Sequence, residues 1–347
     1  MNLVALAISF VVTGLCLQAL RPIAAHVSLV DLPSGRKNHT TATPMVGGIG
    51  IFLGTLLAVT FTPGLLTQFA PLFSLSALVL FVGVIDDAKE LSADLRMAGH
   101  GLIALCMPIL AGVELHSLGN LIFSISLTTG VLSIPLTVFA TVGVINAINM
   151  SDGIDGLSGG FAVITLGMIA LATSWPGNVS IFSLILICSI LAFLVLNFRY
   201  PWKKKALVYM GDAGSTTIGF ILAWLLIEYS QGNTANFAPV HALWFLAVPL
   251  MDTVNLLIKR PLQGRSPFHP GHDHLHHKLQ RRGLSDAKVV SLLLAISLFL
   301  GCLGLLGLIF QVKESIMFTA FMALFALYYF ASEHIAPPTK TNDLGNS

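Results

Sequence analysis

Charge is what this chain has least of. Lys, Arg, Asp and Glu make up 10% of its 347 residues, 55% are hydrophobic, and mean hydropathy is +0.85. A soluble domain carries about a quarter charged residues, so an ordinary cytosolic enzyme and a charge-rich disordered chain are both excluded. The formal net charge of +2 gives a nucleic-acid partner no bulk electrostatic support. Cysteine is scarce as well. Cys16, Cys106, Cys188 and Cys302 each fall inside an apolar run, without CxxC spacing. That excludes a secreted disulfide framework and leaves them as small core or lipid-facing residues. No internal repeat or low-complexity stretch divides the chain, so residues 1–335 read as one domain and 336–347 as a short tail.

What the chain does have is long apolar runs. A membrane helix needs about 20 apolar residues to cross a ~30 Å hydrocarbon core. Eleven runs qualify as candidates: 3–20, 45–62, 70–85, 97–114, 131–149, 158–174, 178–197, 212–229, 239–258, 287–310 and 314–332. The third is short, with Pro71 softening its boundary. No Lys or Arg precedes the first, so it reads as an uncleaved helix rather than a signal peptide. The expected class is an all-α polytopic bundle of about eleven transmembrane helices, N-terminus outside and C-terminus cytoplasmic. In that orientation every one of the 18 Lys and Arg residues except Lys313 lies in or beside a cytoplasmic segment. The chemistry of the chain is therefore expected to face the cytoplasm.

The acids follow the same side. All the aspartates but Asp252 lie in or next to cytoplasmic loops, and Asp252 sits only about 10 Å, by helix rise, from the Lys259 end of its run. No acid occupies a bilayer midplane, where an ion-coupled transporter usually places one. A lipid-phosphate or solute transporter stays open as the rival class.

Five loop segments carry polar chemistry. Asp86-Asp87 ends the third run and reads as a solvated helix end or as two acids with different partners, since neighbouring side chains diverge by about 100°. Arg96 follows as a phosphate ligand or a topology anchor. Asn146, Asn149 and Asp152 recur every third position, with Asp155 beyond and Gly153 and Gly156 allowing close backbone approach. The two asparagines read as interhelical glue or as a ligand site. Met210-Gly211-Asp212-Ala213-Gly214-Ser215-Thr216 is a helix-starting turn in which Asp212 is an N-cap or holds a Mg²⁺ that bridges to phosphate. Between Arg265 and His277 lie five histidines, among them His274, His276 and His277. His272 and His276 have i,i+4 spacing suited to zinc, but no cysteine joins them, and the acids offer hard oxygen ligands suited to Mg²⁺. A basic loop facing an acidic metal site suits a nucleotide diphosphate. Lys37 and His39, ahead of Gly47-Gly48, add positive charge to the same face.

Together, Pro44-Met45-Val46-Gly47-Gly48, Asp86-Asp87, the Asn146–Gly156 string, Met210–Thr216 and His274-Leu275-His276-His277 resemble the polyprenyl-phosphate N-acetylhexosamine-1-phosphate transferase family over about residues 25–285. Val46 and Ala213 favour its undecaprenyl-phosphate GlcNAc-1-phosphate branch over the sister branch of peptidoglycan synthesis. The resemblance implies a bundle of ten or eleven helices that moves a sugar 1-phosphate from a UDP-sugar to undecaprenyl phosphate, releases UMP and needs Mg²⁺ or Mn²⁺. The product would start a lipid-linked envelope polysaccharide such as O-antigen. GlcNAc is the expected sugar, with a deoxy-hexosamine, GalNAc or MurNAc-pentapeptide as alternatives. By motif, the resemblance makes Asp212 a metal ligand with Asn149 as a second, and assigns Asp86, Asp87, Asp152 and Asp155 to catalysis. It gives Arg96 to the lipid phosphate, and Arg265, His274, His276 and His277 to the donor diphosphate, with Lys37 and His39 on the rim. The acceptor, a phosphate monoester with a second pKa near 6, is largely dianionic at neutral pH, so direct attack is expected rather than a phospho-aspartate. Pro249 and Pro261 are expected to open a lateral groove for the lipid.

Overall fold

The computed structural model describes residues 3–31, 42–122, 125–173, 176–199, 203, 205–266, 271 and 273–335. Thirteen α-helices account for most of them. In order they are α1 (Leu3–Ala24), α2 (Gly47–Thr60), α3 (Leu65–Lys89), α4 (Ala93–Cys106), α5 (Ser133–Met150), α6 (Leu157–Ala172) and α7 (Asn178–Asn197). Then come α8 (Gly211–Glu228), α9 (Pro239–Phe245), α10 (Ala247–Leu262), α11 (Leu275–Arg281), α12 (Asp286–Ile309) and α13 (Glu314–His334). Among the described residues, strands are confined to a two-residue pair, β1 (Val30–Asp31) and β2 (Thr43–Pro44), and to isolated bridges.

Each of the eleven apolar runs holds helix, but they are not equal in length. Among the described residues, seven helices are long and apolar enough to cross a membrane, or eight if the bent pair α9–α10 is one span. α2 and α6, with 14 and 16 residues, reach only about 21 and 24 Å. α3 runs through Pro71 from Leu65, so that boundary lies further out than expected. α4 begins earlier than expected, capped by the Ser92 hydroxyl, which accepts from the Leu95 amide at 3.3 Å.

The ninth run is broken by a 91° bend between α9 and α10. Pro249, on the third residue of α10, has no N–H to give to the Phe245 carbonyl four residues back. The Thr165 hydroxyl donates to that carbonyl instead, at 3.0 Å. A buried carbonyl freed by proline is thus satisfied from α6, which apolar surroundings demand.

α8 is the central post. Every residue from Ala213 to Ile227 is buried, against α2, α3 and α5 above all. Lipid removes most of the hydrophobic drive between helices, so association rests on close packing and hydrogen bonds. Glycine supplies the closeness. A Cβ on Gly48 would stand 2.3 Å from the Gly214 backbone, and one on Gly83 would stand 2.4 Å from the Ala213 Cα. Gly47 and Gly48 also give two amides at the start of α2 to the Tyr209 and Met210 carbonyls, at 3.0 and 3.1 Å. The Gly-Gly pair therefore admits a neighbouring backbone, which in turn fixes the start of α8.

Candidate active site

The ends of α3, α5, α7 and α10 and the starts of α4, α6, α8 and α12 meet at one end of the bundle. A cleft of about 600 Å³ opens there, with Asp87, Asn149, Asp152, Asp155, Asp212, Arg199 and His277 among its walls.

Asp87 caps α8 from another helix. Its two carboxylate oxygens accept from the Asp212 and Ala213 amides at 2.8 and 3.1 Å. The capping group is thus Asp87 and not Asp212, whose own side chain is left for the cleft. Gly211 is required beneath it: φ is +73°, and a Cβ would meet the Asp87 carboxylate at 2.5 Å.

Asp86 takes a different partner, as adjacent positions on a helix must. It is 3% exposed and accepts from the Leu91 amide at 2.9 Å and from Arg96 at 2.8 Å. Arg96 spans from Asp86 to Asp212, which it reaches at 3.2 Å. Asp212 also accepts from Asn149 Nδ2 at 2.5 Å, and the same amide donates to Ser215 Oγ at 2.9 Å. The Asn149 side-chain Oδ1 accepts no hydrogen bond among the described residues. Asn146 donates to the Val142 carbonyl of its own helix. Of the asparagine pair, only Asn149 belongs to the cleft.

Asp152 follows the end of α5 on a turn, so it leaves the helical stripe but still lines the cleft. Its carboxylate accepts no hydrogen bond among the described residues. Burial, then the Asp212, Asp155 and Asp87 charges, push its carboxyl well above the usual range. Asp155 is raised by burial too, against the opposing pull of Arg199.

Arg199 is the residue that sequence reasoning missed. Its guanidinium meets Asp155 at 2.5 Å and Asp286 at 3.1 Å. Gln280 donates to Asp286 at 2.8 Å and bonds His277 Nδ1 at 3.0 Å, closing a polar wall across α7, α11 and α12. In the sequence Arg199 shows only as a basic residue after an apolar run, and Asp286 only as an acid in a helix's first turn.

The histidines divide. His277 lines the cleft, and His276 packs directly on Gly153, where a Cβ would meet its ring at 2.6 Å. His274 is turned to Asp252, at 2.8 Å. Arg265 pairs with Asp273 at 3.0 Å and bonds Gln263, away from the cleft walls. Lys37 and His39 lie outside the described residues.

Residues 69–230 match glycosyl transferase family 4. Across most of its length the chain is similar to proteins named undecaprenyl-phosphate alpha-N-acetylglucosaminyl 1-phosphate transferase. It is 37% identical to that of Haemophilus influenzae, over 94% of this chain and 93% of the relative. For the Escherichia coli K12 protein the identity is 35%, over 92% and 88%. For that of Yersinia pestis it is 35%, over 89% and 85%. The chain belongs to glycosyl transferase family 4. The family match spans α3 to α8 and so includes Asp86, Asp87, Arg96, Asn149, Asp152, Asp155, Arg199 and Asp212. The histidine segment lies outside that match but inside the stretches shared with the Escherichia coli and Haemophilus relatives. These comparisons give the transporter reading no support.

Proposed function

We propose that the chain transfers GlcNAc 1-phosphate from UDP-GlcNAc to undecaprenyl phosphate, releasing UMP, at the cytoplasmic face of a bacterial inner membrane. The observation that carries this reading is one cleft joining Asp87, Asp152 and Asp212 to an Arg199–His277 wall at the end of an apolar bundle. The relatives' names carry the acceptor, undecaprenyl phosphate, and the transferred group, GlcNAc 1-phosphate. The one-sided placement of Lys and Arg supports an orientation with the N-terminus outside and all eleven apolar segments within the membrane.

Mg²⁺ suits the donor set. No three Asp, Glu, His or Cys groups among the described residues are gathered as a preformed metal cluster. Mg²⁺ does not require that, because it keeps several waters and takes one or two carboxylates plus substrate phosphates. Asp152, whose carboxylate accepts no hydrogen bond among the described residues, and Asp212, 33% exposed, are the two that would hold it, with Asn149 Oδ1 beside them. When bound, Mg²⁺ offsets the repulsion between an acceptor dianion and the donor diphosphate.

The chain's own groups do the rest. An acceptor phosphate oxygen attacks the phosphorus bearing the sugar. The bond from that phosphorus to the bridging oxygen breaks, and UMP leaves with the electron pair. Arg96 is 28% exposed and held by Asp86 beside Asp212, in a position to receive the acceptor phosphate. Asp86 and Asp87 are already committed to Arg96 and to the start of α8, so neither is placed as a nucleophile. His277 and Arg199 form the wall available to the donor.

Purified protein with undecaprenyl phosphate and UDP-GlcNAc is expected to form UMP with Mg²⁺, stop with EDTA, and resume with added Mg²⁺ or Mn²⁺. Competition with UDP-GalNAc and UDP-linked deoxy-hexosamines reads the sugar. No UMP from any UDP-N-acetylhexosamine overturns the proposal. Label from the donor found on Asp86 or Asp87 overturns direct attack.

A further inference from the structure

Asp252 is the one aspartate drawn back from the loops, and in α10 it is surrounded by donors. Its Oδ2 meets His274 Nδ1 at 2.8 Å. Its Oδ1 accepts from the Leu275 amide at 3.1 Å and from the Tyr328 hydroxyl at 2.7 Å. An ionised carboxylate can only accept, so the proton on this side of His274 sits on Nδ1, and in the neutral ring Nε2 carries the lone pair. Leu275 is the first residue of α11, so the same carboxylate caps that helix.

What Asp252 fixes is passed on. The His274 ring lies parallel to His276, centroids 5.6 Å apart and planes within 6°, and His276 contacts His277 at 4.1 Å. His277 is the member that lines the cleft. The support extends to α13. Lys259, one helix face along from Asp252, donates to the Tyr329 carbonyl and the Ser332 hydroxyl at 2.7 and 2.8 Å, and Lys278 of α11 donates to the Ser332 carbonyl at 3.0 Å. The last helix therefore fastens α10 and α11 together.

We propose that Asp252 is a positioning residue: acting through His274 and the start of α11, it sets the histidine row that presents His277 to the donor diphosphate. This rests on the transfer reaction proposed above.

Asp252→Asn tests it with a defined consequence. The Leu275 amide can only donate, and Tyr328 donates to the same atom, so the new oxygen stays there and the new NH₂ turns to His274. Nδ1 must then accept, and the proton moves to Nε2. Selectively ¹⁵N-labelled histidine, with the His274 signal assigned by its loss in His274→Gln, is expected to show that exchange. kcat/KM for UDP-GlcNAc is expected to fall roughly 10- to 100-fold, the range for a carboxylate supporting a functional imidazole, with KM for undecaprenyl phosphate unchanged. The double variant Asp252→Asn, His274→Gln is expected to be no worse than the poorer single variant. Additive losses, an unchanged tautomer, or wild-type kcat/KM in Asp252→Asn would each overturn the proposal. If Asp252→Asn fails to assemble, Tyr328→Phe takes its place. Several-fold lower kcat/KM at an unchanged unfolding temperature supports the proposal, and wild-type kcat/KM in both Tyr328→Phe and His274→Gln overturns it. The tautomer is read without substrate. A wild-type protein that releases no UMP therefore overturns the reaction, while the exchange still decides whether Asp252 sets His274.

Discussion

Asp152 stands apart from the other acids of the cleft because no described residue compensates it. Asp86 has Arg96, Asp87 has two amides, Asp155 has Arg199, and Asp212 has Arg96 and Asn149. A carboxylate held beside three others without a hydrogen bond costs stability unless a cation arrives. Asp152→Asn removes the repulsion and keeps the shape. In EDTA this variant is expected to unfold at a higher temperature than the wild type. Mg²⁺, which raises the wild-type midpoint by mass action, is expected to leave the variant's nearly unmoved. Activity is expected to fall by at least about a hundredfold, since binding and charge relief go together. Thermal scans with and without Mg²⁺ check the first two outcomes. An equal Mg²⁺ shift in both proteins would assign the cation to Asp212 without Asp152.

At the scale of elements, glycine decides how near the helices come. Gly48 and Gly214 meet backbone to backbone, so a methyl group on Gly48 has no flexible side chain to displace. At Gly143 in α5 and Gly167 in α6 an added methyl group would have nothing within 4 Å. Gly48→Ala is expected to destabilise by about 1–3 kcal/mol, as overpacking does, and to lower activity by shifting the start of α8. Gly143→Ala and Gly167→Ala are expected to be neutral or to stabilise by up to about 1 kcal/mol, from the helix preference of alanine. Unfolding midpoints of the three variants check this, and equal effects at all three positions would contradict the packing argument. The same level shows how far the sequence could be read. Each apolar run holds helix, and among the described residues seven helices, or eight with the bent pair, have the length that a ~30 Å core imposes. Residue type picked out Asp87, Asn149, Asp152, Asp155, Asp212 and His277, which do share a cleft. Arg199 and Asp286 escaped because their meaning lies in pairing across 87 positions of chain. The bend at α9–α10 escaped because the hydroxyl that satisfies the freed carbonyl comes from α6.

For the whole molecule, the signal that sets orientation and the chemistry of the site draw on the same side chains. Arg96, Arg199 and Arg265, which count toward topology, are each paired with an aspartate at the cleft end of the bundle. At the other end, Glu314 is satisfied by Asn120, through its amide at 2.7 Å and its side chain at 3.1 Å. Lys313 stands beside it as that end's single Lys or Arg among the described residues. The positive-inside rule then predicts that the cleft end stays cytoplasmic. The two faces can be told apart with single cysteines at Lys313 and Lys205, after replacing the four half-buried native cysteines. In spheroplasts a membrane-impermeant maleimide is expected to label Lys313→Cys directly and Lys205→Cys only after permeabilisation. Both substitutions lie outside the proposed site, so UMP release should persist in each and certify that the labelled protein is folded. Labelling of Lys205→Cys in sealed spheroplasts would place the cleft outside, where nucleotide sugars are not supplied, and would overturn the cytoplasmic assignment together with the orientation.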